Sequence, residues 1–232
     1  MPRCATRYIA WVFAIAALTL FLALTNWECQ DARRFAGCLF LTILGSTLKV
    51  RLPGIAGTFS LSFVFILMGI ADLSLAEVLL MSCAAATVQC LWRTKHKPEL
   101  VQIMFSVSNL VIAVAVSYGA FHLGRRFGFG DHLMGLLALA AAVQYVLNTG
   151  FLAIVLALVE DQPVKQMWEH WVVWSFPYYL AGAVLAGAFT VSSQHVDWKA
   201  CLLLTPMLYL VYICYRTYIE KRGDEQACYI AQ

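Results

Sequence analysis

Residues 133–159 read LMGLLALAAAVQYVLNTGFLAIVLALV and contain no charged side chain. A membrane-spanning helix needs about 20 apolar residues to cross a hydrocarbon core roughly 30 Å thick, and this run is long enough. The whole chain has the same character, since 62% of its 232 residues are hydrophobic and only 12% are charged. Soluble domains are about 45–50% apolar and about 25% charged. The composition therefore predicts a polytopic membrane protein and excludes a soluble enzyme, a nucleic-acid-binding domain and a disordered chain.

Apolar runs bounded by charged or turn-forming residues divide the chain into eight candidate spans. The second and third runs are short and are separated by the helix-breaking segment Leu52-Pro53-Gly54. We predict an all-α transmembrane helix bundle of six to eight spans, in which the two short segments can form a broken or re-entrant hairpin. One transmembrane domain is expected over residues 1–222, followed by a short disordered tail at 223–232. The eight runs are 9–25, 35–48, 57–71, 75–92, 100–123, 133–159, 171–192 and 199–219.

The distribution of Lys and Arg predicts the orientation of the bundle. Short cytoplasmic loops of membrane proteins carry an excess of these residues. If both termini lie inside, eleven of the 16 Lys and Arg residues fall in cytoplasmic segments. The sequence therefore predicts an N-in/C-in topology with a cytoplasmic tail. The first run follows Arg3 and Arg7 without a small-residue cleavage site, so we interpret it as a retained signal anchor.

Amide side chains inside the apolar runs are the candidate ligand site. Polar groups at membrane depth are costly and are functional candidates by default. Gln144 and Asn148 are four residues apart and share one helix face, with Tyr145 beside them, while Asn109 lies mid-depth in the fifth run. Gln89 lies near the end of the fourth run. Two interpretations stay open for these five residues: hydrogen bonds between helices, or a polar ligand pocket inside the bundle.

The acidic and histidine residues near the span ends allow other interpretations. Asp72 and Glu77 flank the turn before the fourth run. Asp72 or Ser74 can cap the helix and Glu77 suits its dipole, or these acids can serve a cation or a substrate. His122, Asp131 and His132 could meet on the outer side as a metal or pH-sensitive site.

Motifs for catalysis and for metal binding are missing from the sequence. It contains no Cys-x-x-Cys pair, no His-x-x-x-His pair on a span, no Gly-x-Ser-x-Gly elbow and no Walker A loop. We therefore predict no catalytic residues, no metal and no cofactor, and an enzyme is less expected than a binding protein.

Small residues within the runs, such as Gly45 and Ser46, are interpreted as helix-packing positions.

The segments LKVRLPG (48–54) and FSLSFVF (59–65), with later matches at WSFP (174–177) and around Thr205-Pro206, carry a resemblance. They resemble the multi-spanning N-terminal input region of bacterial signalling proteins, which precedes a GGDEF or HD-GYP output domain. The resemblance covers residues 35–222, but the given sequence contains no output-domain motif. It implies a sensory or regulatory module of the bacterial inner (plasma) membrane. Such a module would respond to a small or lipophilic ligand or to the membrane state, and relay the change through its last helix to a cytoplasmic output protein.

Two further functions stay open from the sequence. The interrupted second and third segments fit a small-solute transporter or its substrate-binding subunit, similar to the capture subunits of vitamin transporters. Acidic residues near the interface, such as Asp72, Glu77 and Glu169, fit an intramembrane lipid-modifying enzyme.

The expected partners are the lipid bilayer, a small-molecule or lipid ligand and a cytoplasmic output protein, and no nucleic acid is expected.

Overall fold

A computed structural model describes residues 3–28, 31–51, 58–92, 98–129, 132–160, 163–165, 179, 182–188 and 190. Over these residues the fold is helical, as predicted, with one short β-ribbon that the sequence analysis did not predict. Its elements are α1 (Arg3–Thr25), α2 (Ala32–Thr47), β1 (Lys49–Arg51), β2 (Thr58–Ser60), α3 (Ser62–Asp72), α4 (Leu75–Leu91), α5 (Leu100–Gly124), the π-helical turn Arg125–Phe129 and α6 (Leu133–Glu160).

Three helices are long and apolar enough to cross a membrane, namely Arg3–Thr25, Leu100–Gly128 and Leu133–Glu160. They correspond to the first, fifth and sixth predicted runs. α1 begins at Arg3, six residues before its apolar run, because a helix continues past the hydrocarbon into the headgroup region where charged side chains are solvated. Membrane association is thus supported by these spans, while the total of six to eight spans and the N-in/C-in topology stay predictions.

The third apolar run folds as a half-length helix. α3 has 11 residues, which at 1.5 Å per residue extend about 16 Å, roughly half of a hydrocarbon core. Every residue from Ser62 to Ile70 is buried. A helix that is apolar on all sides and covered on all sides is an interior element of the bundle. The short helix α3 therefore packs inside protein rather than against lipid.

The ribbon β1–β2 accounts for the short third helix. The strands pair antiparallel, with Lys49 opposite Ser60 and Arg51 opposite Thr58. The predicted run began at residue 57, but Thr58–Ser60 are extended, so α3 starts at Ser62. Strand pairing satisfies backbone N–H and C=O groups that would otherwise be exposed near the membrane. Lys49 Nζ also donates to the backbone carbonyl of Trp92, just after α4.

Helix α5 lies in the middle of the described bundle and packs against α1, α4 and α6. α2 packs against α3 and α4. The hydroxyl of Tyr8 on α1 donates to the backbone carbonyl of Phe151 on α6, at 3.4 Å. The buried core is therefore formed where α3, α4, α5 and α6 meet, with α1 on its outside.

One end of the bundle, which we call the Asp72 end, carries an ion pair and a helix cap. Arg34 at the start of α2 and Asp72 at the end of α3 are paired at 2.7 Å, with side chains 37% and 17% exposed respectively. Ser74 is the N-cap of α4, and Glu77 Oε2 accepts hydrogen bonds from its backbone N and its Oγ, both at 2.9 Å. The helix-capping interpretation of this turn is confirmed for Ser74 and Glu77.

The Arg34–Asp72 pair predicts an asymmetric response to substitution. Arg34→Gln leaves the less exposed carboxylate of Asp72 without its bonded cation, whereas Asp72→Asn leaves only the more exposed guanidinium unpaired. At neutral pH we expect Arg34→Gln to lower the free energy of unfolding by about 1 kcal/mol, and Asp72→Asn, which resembles the protonated acid, to leave it unchanged or raise it. Thermal unfolding of both variants in detergent micelles measures the difference. Equal losses would contradict the asymmetry.

The same pair predicts that the stability of the fold depends on pH. Asp72 lies outside the three candidate spans. Burial raises the pKa of Asp72 from its ordinary 3.8, and the charges of Arg34 and Arg125 lower it in part. An acid with a raised pKa in the folded state favours folding when protonated, so stability should fall as pH rises from 3.8 to the raised value. Arg34→Gln should enlarge this fall and extend it to higher pH, because Arg34 lowers the pKa of Asp72, and Asp72→Asn should abolish it. Unfolding midpoints measured from pH 3.5 to 7, about the range in which carboxyl groups titrate, test the sign.

Several sequence interpretations lie outside the described residues. They include the tail at 223–232, most of the run 171–192, the whole run 199–219, the matches around 174–177 and 205–215, and the acid Glu169.

Candidate functional site

Two of the predicted amides meet at the interface between α5 and α6. The Nδ2 of Asn109 donates to Asn148 Oδ1 at 2.9 Å and to the backbone carbonyl of Asn148 at 3.2 Å. The two residues are 39 positions apart in the chain, and Asn109 is only 5% exposed. Both side chains therefore point toward the interior of the bundle, as the candidate site requires.

Tyr179 extends this contact toward α3. Asn148 Nδ2 donates to the hydroxyl of Tyr179 at 2.9 Å. The ring of Tyr179 lies 4.8 Å from that of Tyr145 and 4.5 Å from that of Phe63, measured between centroids. Asn109, Gln144, Tyr145, Asn148 and Tyr179 are hereafter the amide cluster, and Phe63 borders it.

Sequence reasoning missed Tyr179 and Phe63. A signal for Tyr179 was present, because a tyrosine inside an apolar run carries a hydroxyl that needs a hydrogen-bond partner when buried. No comparable signal existed for Phe63, since a phenylalanine in an apolar run packs in many environments.

The orientation of the Asn109 amide is determined by its partners. The oxygen and nitrogen of an amide are assigned from the hydrogen bonds that they make. Here one partner is the backbone carbonyl of Asn148, which can only accept, so the Asn109 atom facing it is the donor nitrogen. Asn109 Oδ1 consequently points elsewhere, and it is buried without a hydrogen-bond partner.

A second oxygen of the cluster is also buried without a hydrogen-bond partner. Gln144 is one turn from Asn148 on α6 and is 1% exposed, and its Oε1 is buried without a partner. A buried polar group without a partner costs about 1–3 kcal/mol. The cluster therefore combines a satisfied chain of hydrogen bonds, from Asn109 through Asn148 to Tyr179, with two unsatisfied acceptors. Each of these two oxygens can still accept a hydrogen bond.

The fifth predicted residue, Gln89, belongs to a different group. Its Oε1 accepts a hydrogen bond from Ser60 Oγ at 3.2 Å, and Ser60 Oγ lies 2.7 Å from Ser62 Oγ. These contacts join α4 to the start of α3 near the ribbon. The structure thus brings Asn109, Asn148 and Tyr145 together through Tyr179, and it connects Gln89 to Ser60 instead.

The candidate metal or pH-sensitive site is described only in part. His122 Nε2 is 3.2 Å from the backbone carbonyl of Ile70, and the His122 ring stacks at 4.1 Å on that of Tyr118. Asp131 lies outside the described residues. Within the described ranges, no three His, Cys, Asp or Glu side chains are grouped so that they could hold a metal ion.

The chemistry available to the amide cluster is recognition by hydrogen bonds and aromatic contact. Its five side chains are uncharged, and its two buried acceptors favour a ligand that donates. Comparison with protein-family models, curated proteins and solved structures found no significant match to the chain. The resemblance to bacterial input regions therefore stays a prediction, and the function is argued from the geometry of the cluster.

Proposed function

We propose that the protein is a non-enzymatic sensory module of the membrane that binds a small, donor-bearing ligand at the amide cluster. The observation that supports this proposal is the pair of buried acceptors, Asn109 Oδ1 and Gln144 Oε1, beside a hydrogen-bonded chain that crosses between helices. A ligand that carries N–H or O–H groups would supply the donors that these oxygens lack.

The ligand class follows from the lining of the cluster. Apolar pockets with a few placed polar groups are typical of small-molecule sites. Here the polar groups still available are acceptors, and the rings of Tyr145, Tyr179 and Phe63 present apolar surface. We therefore propose a small ligand that is partly aromatic or aliphatic and carries N–H or O–H groups.

The proposal that the protein relays a signal is based on its resemblance to the input regions of bacterial signalling proteins. Tyr179 connects α6 to the part of the chain that follows, so a ligand that changes the Asn148–Tyr179 contact would bias the packing of the later helices. In the proposal, the segment 212–222, at the end of the last predicted span, carries this bias from the bacterial inner membrane to a cytoplasmic output protein. A ligand shifts such an equilibrium only by its difference in affinity for the two packings.

Ligand retention tests the binding proposal. Protein is purified in detergent, and mass spectrometry compares the small molecules extracted from wild type, Asn109→Leu and Gln144→Leu. The matched control is Ser117→Ala, because Ser117 is also buried on α5 but its hydroxyl is already bonded to the carbonyl of Ala113 at 2.7 Å. We expect a compound retained by wild type and by the control and lost from both cluster variants. A compound retained equally by all four proteins, or by none, would contradict the proposal.

A transporter, or its solute-binding subunit, is the second candidate function, and the short helix α3 favours it. Half-length helices that end at membrane depth mark substrate sites in many transporters. Phe63 at the start of α3 borders the amide cluster through Tyr179. Proteoliposomes distinguish the two functions: a transporter would exchange the isotopically labelled retained compound across the bilayer, whereas a sensor would bind it without exchange.

A further inference from the structure

A cleft at the Asp72 end of the bundle is not used by the proposed function. It has a volume of about 420 Å³ and lies between the end of α5 and the start of α6. Except for one histidine its lining is apolar or glycine, and the lining residues are Gly124, Phe127, His132, Gly135, Leu136 and Leu139. The volume is within the range of small-ligand sites, which is about 300–1,000 Å³.

The cleft depends on a local departure from α-helix. α5 ends at Gly124 and is followed by the π-helical turn Arg125–Phe129, which is kinked because Phe127 and Gly128 have non-helical backbone angles and Gly128 has a φ of 90°. Only glycine adopts such a φ at little cost. A Cβ at Gly124 would lie 2.6 Å from Leu136 Cδ2, so the two helices touch there and close one side of the cleft. Beyond this contact the π-helical turn directs Phe127 outward, where its side chain is 75% exposed.

Basic side chains lie at the mouth of the cleft. Arg125 and Arg126 are exposed and stand between the lining residues Gly124 and Phe127, and His132 lines the opposite side. Asp72 at the same end of the bundle is paired with Arg34 at 2.7 Å, and it also interacts through its charge with Arg125. Among the residues that the structure describes, no carboxylate forms an ion pair with Arg126.

We propose that this cleft binds an anionic phospholipid, with one acyl chain in the apolar cleft and the phosphate at Arg125 and Arg126. The cleft lies at the end of two candidate spans, Leu100–Gly128 and Leu133–Glu160, which is the depth at which headgroups meet acyl chains. From His132 to Leu139 the lining follows α6 for about 10 Å, so the apolar part extends from the headgroup level into the hydrocarbon. Basic clusters beside helix interfaces attract anionic headgroups, and arginine binds phosphate oxygens in pairs.

Native mass spectrometry of the full chain in detergent tests the lipid site. The protein is titrated with phosphatidylglycerol and, separately, with phosphatidylcholine of the same acyl chains. We expect wild type to bind phosphatidylglycerol about tenfold more tightly, and the double variant Arg125→Gln/Arg126→Gln to lose that preference. The control Arg33→Gln removes an exposed arginine of α2 at the same end of the bundle and should keep it.

A second variant tests the acyl part of the site. A Cβ at Gly135 would lie 3.8 Å from His132 Cβ, an ordinary contact, so Gly135→Leu can fill the cleft without forcing the helices apart. It should weaken the binding of both lipids while the preference between them remains. Glycerol phosphate, which has the headgroup without chains, should not displace bound phosphatidylglycerol.

Three outcomes would overturn the lipid proposal: equal affinity of wild type for both lipids, a preference that survives in the double arginine variant, or displacement by glycerol phosphate. None of these outcomes depends on the amide cluster, so the lipid site and the proposed function can fail separately.

Discussion

Replacing Gly45 with leucine should cost the protein about 3 kcal/mol of unfolding free energy, a large part of the roughly 5–15 kcal/mol that stabilises a typical fold. A Cβ at Gly45 would lie 3.0 Å from the backbone N of Ser62 and 3.1 Å from both Leu61 C and Phe65 Cε2. Two of these three atoms are backbone, so they cannot move aside as a side chain can. The added side chain would therefore push α2 away from the start of α3.

A matched glycine on α6 serves as the control for Gly45. A Cβ at Gly150 would meet nothing within 4 Å. Gly150→Ala should therefore leave stability unchanged or raise it by up to about 1 kcal/mol, because alanine favours a helix over glycine. Thermal unfolding in detergent micelles compares Gly45→Ala, Gly45→Leu and Gly150→Ala. If Gly45→Leu is as stable as wild type, the close packing of α2 on α3 is wrong.

Replacing Asn148 with leucine is expected to have the second largest effect, because Asn148 is the middle of the hydrogen-bonded chain in the amide cluster. The substitution removes the bond from Asn109 Nδ2 to Asn148 Oδ1 and the bond from Asn148 Nδ2 to the Tyr179 hydroxyl. Hydrogen bonds between membrane helices average about 0.6 kcal/mol, and two buried partners would also be left poorly satisfied. We expect a total loss of about 2 kcal/mol in the unfolding free energy.

Gln144→Leu should act in the opposite direction, and its sign separates a ligand site from simple helix packing. The substitution removes Gln144 Oε1, a buried oxygen that has no hydrogen-bond partner in the structure. The free energy of unfolding of protein washed free of ligand should therefore rise by about 1 kcal/mol. Protein purified with its ligand should instead lose the stabilisation that binding provides. Unfolding measured before and after extensive detergent washing reports both signs, and an unchanged stability in each state would contradict a role for Gln144 in binding.

The apolar runs of the sequence predicted some secondary-structure elements more accurately than others. The runs 100–123 and 133–159 predicted α5 (Leu100–Gly124) and α6 (Leu133–Glu160) to within one residue at each end. In lipid a helix satisfies all its backbone groups internally, so the length of an apolar run nearly determines the element. The run 57–71 was a poorer guide, because an apolar segment without clear periodicity does not distinguish the strand Thr58–Ser60 from the helix that follows it.

The sequence by itself determined that the chain is helical, where its three segments long and apolar enough to cross a membrane lie, and which amides are candidates for a site. Only the tertiary structure decided which amides meet: Asn109 and Asn148 come together with Tyr179, while Gln89 pairs with Ser60. The physical reason is that lipid solvates every apolar face of a helix almost equally. The rotation of α5 against α6 therefore depends on a few hydrogen bonds and close contacts between residues far apart in the chain, and no local pattern encodes them.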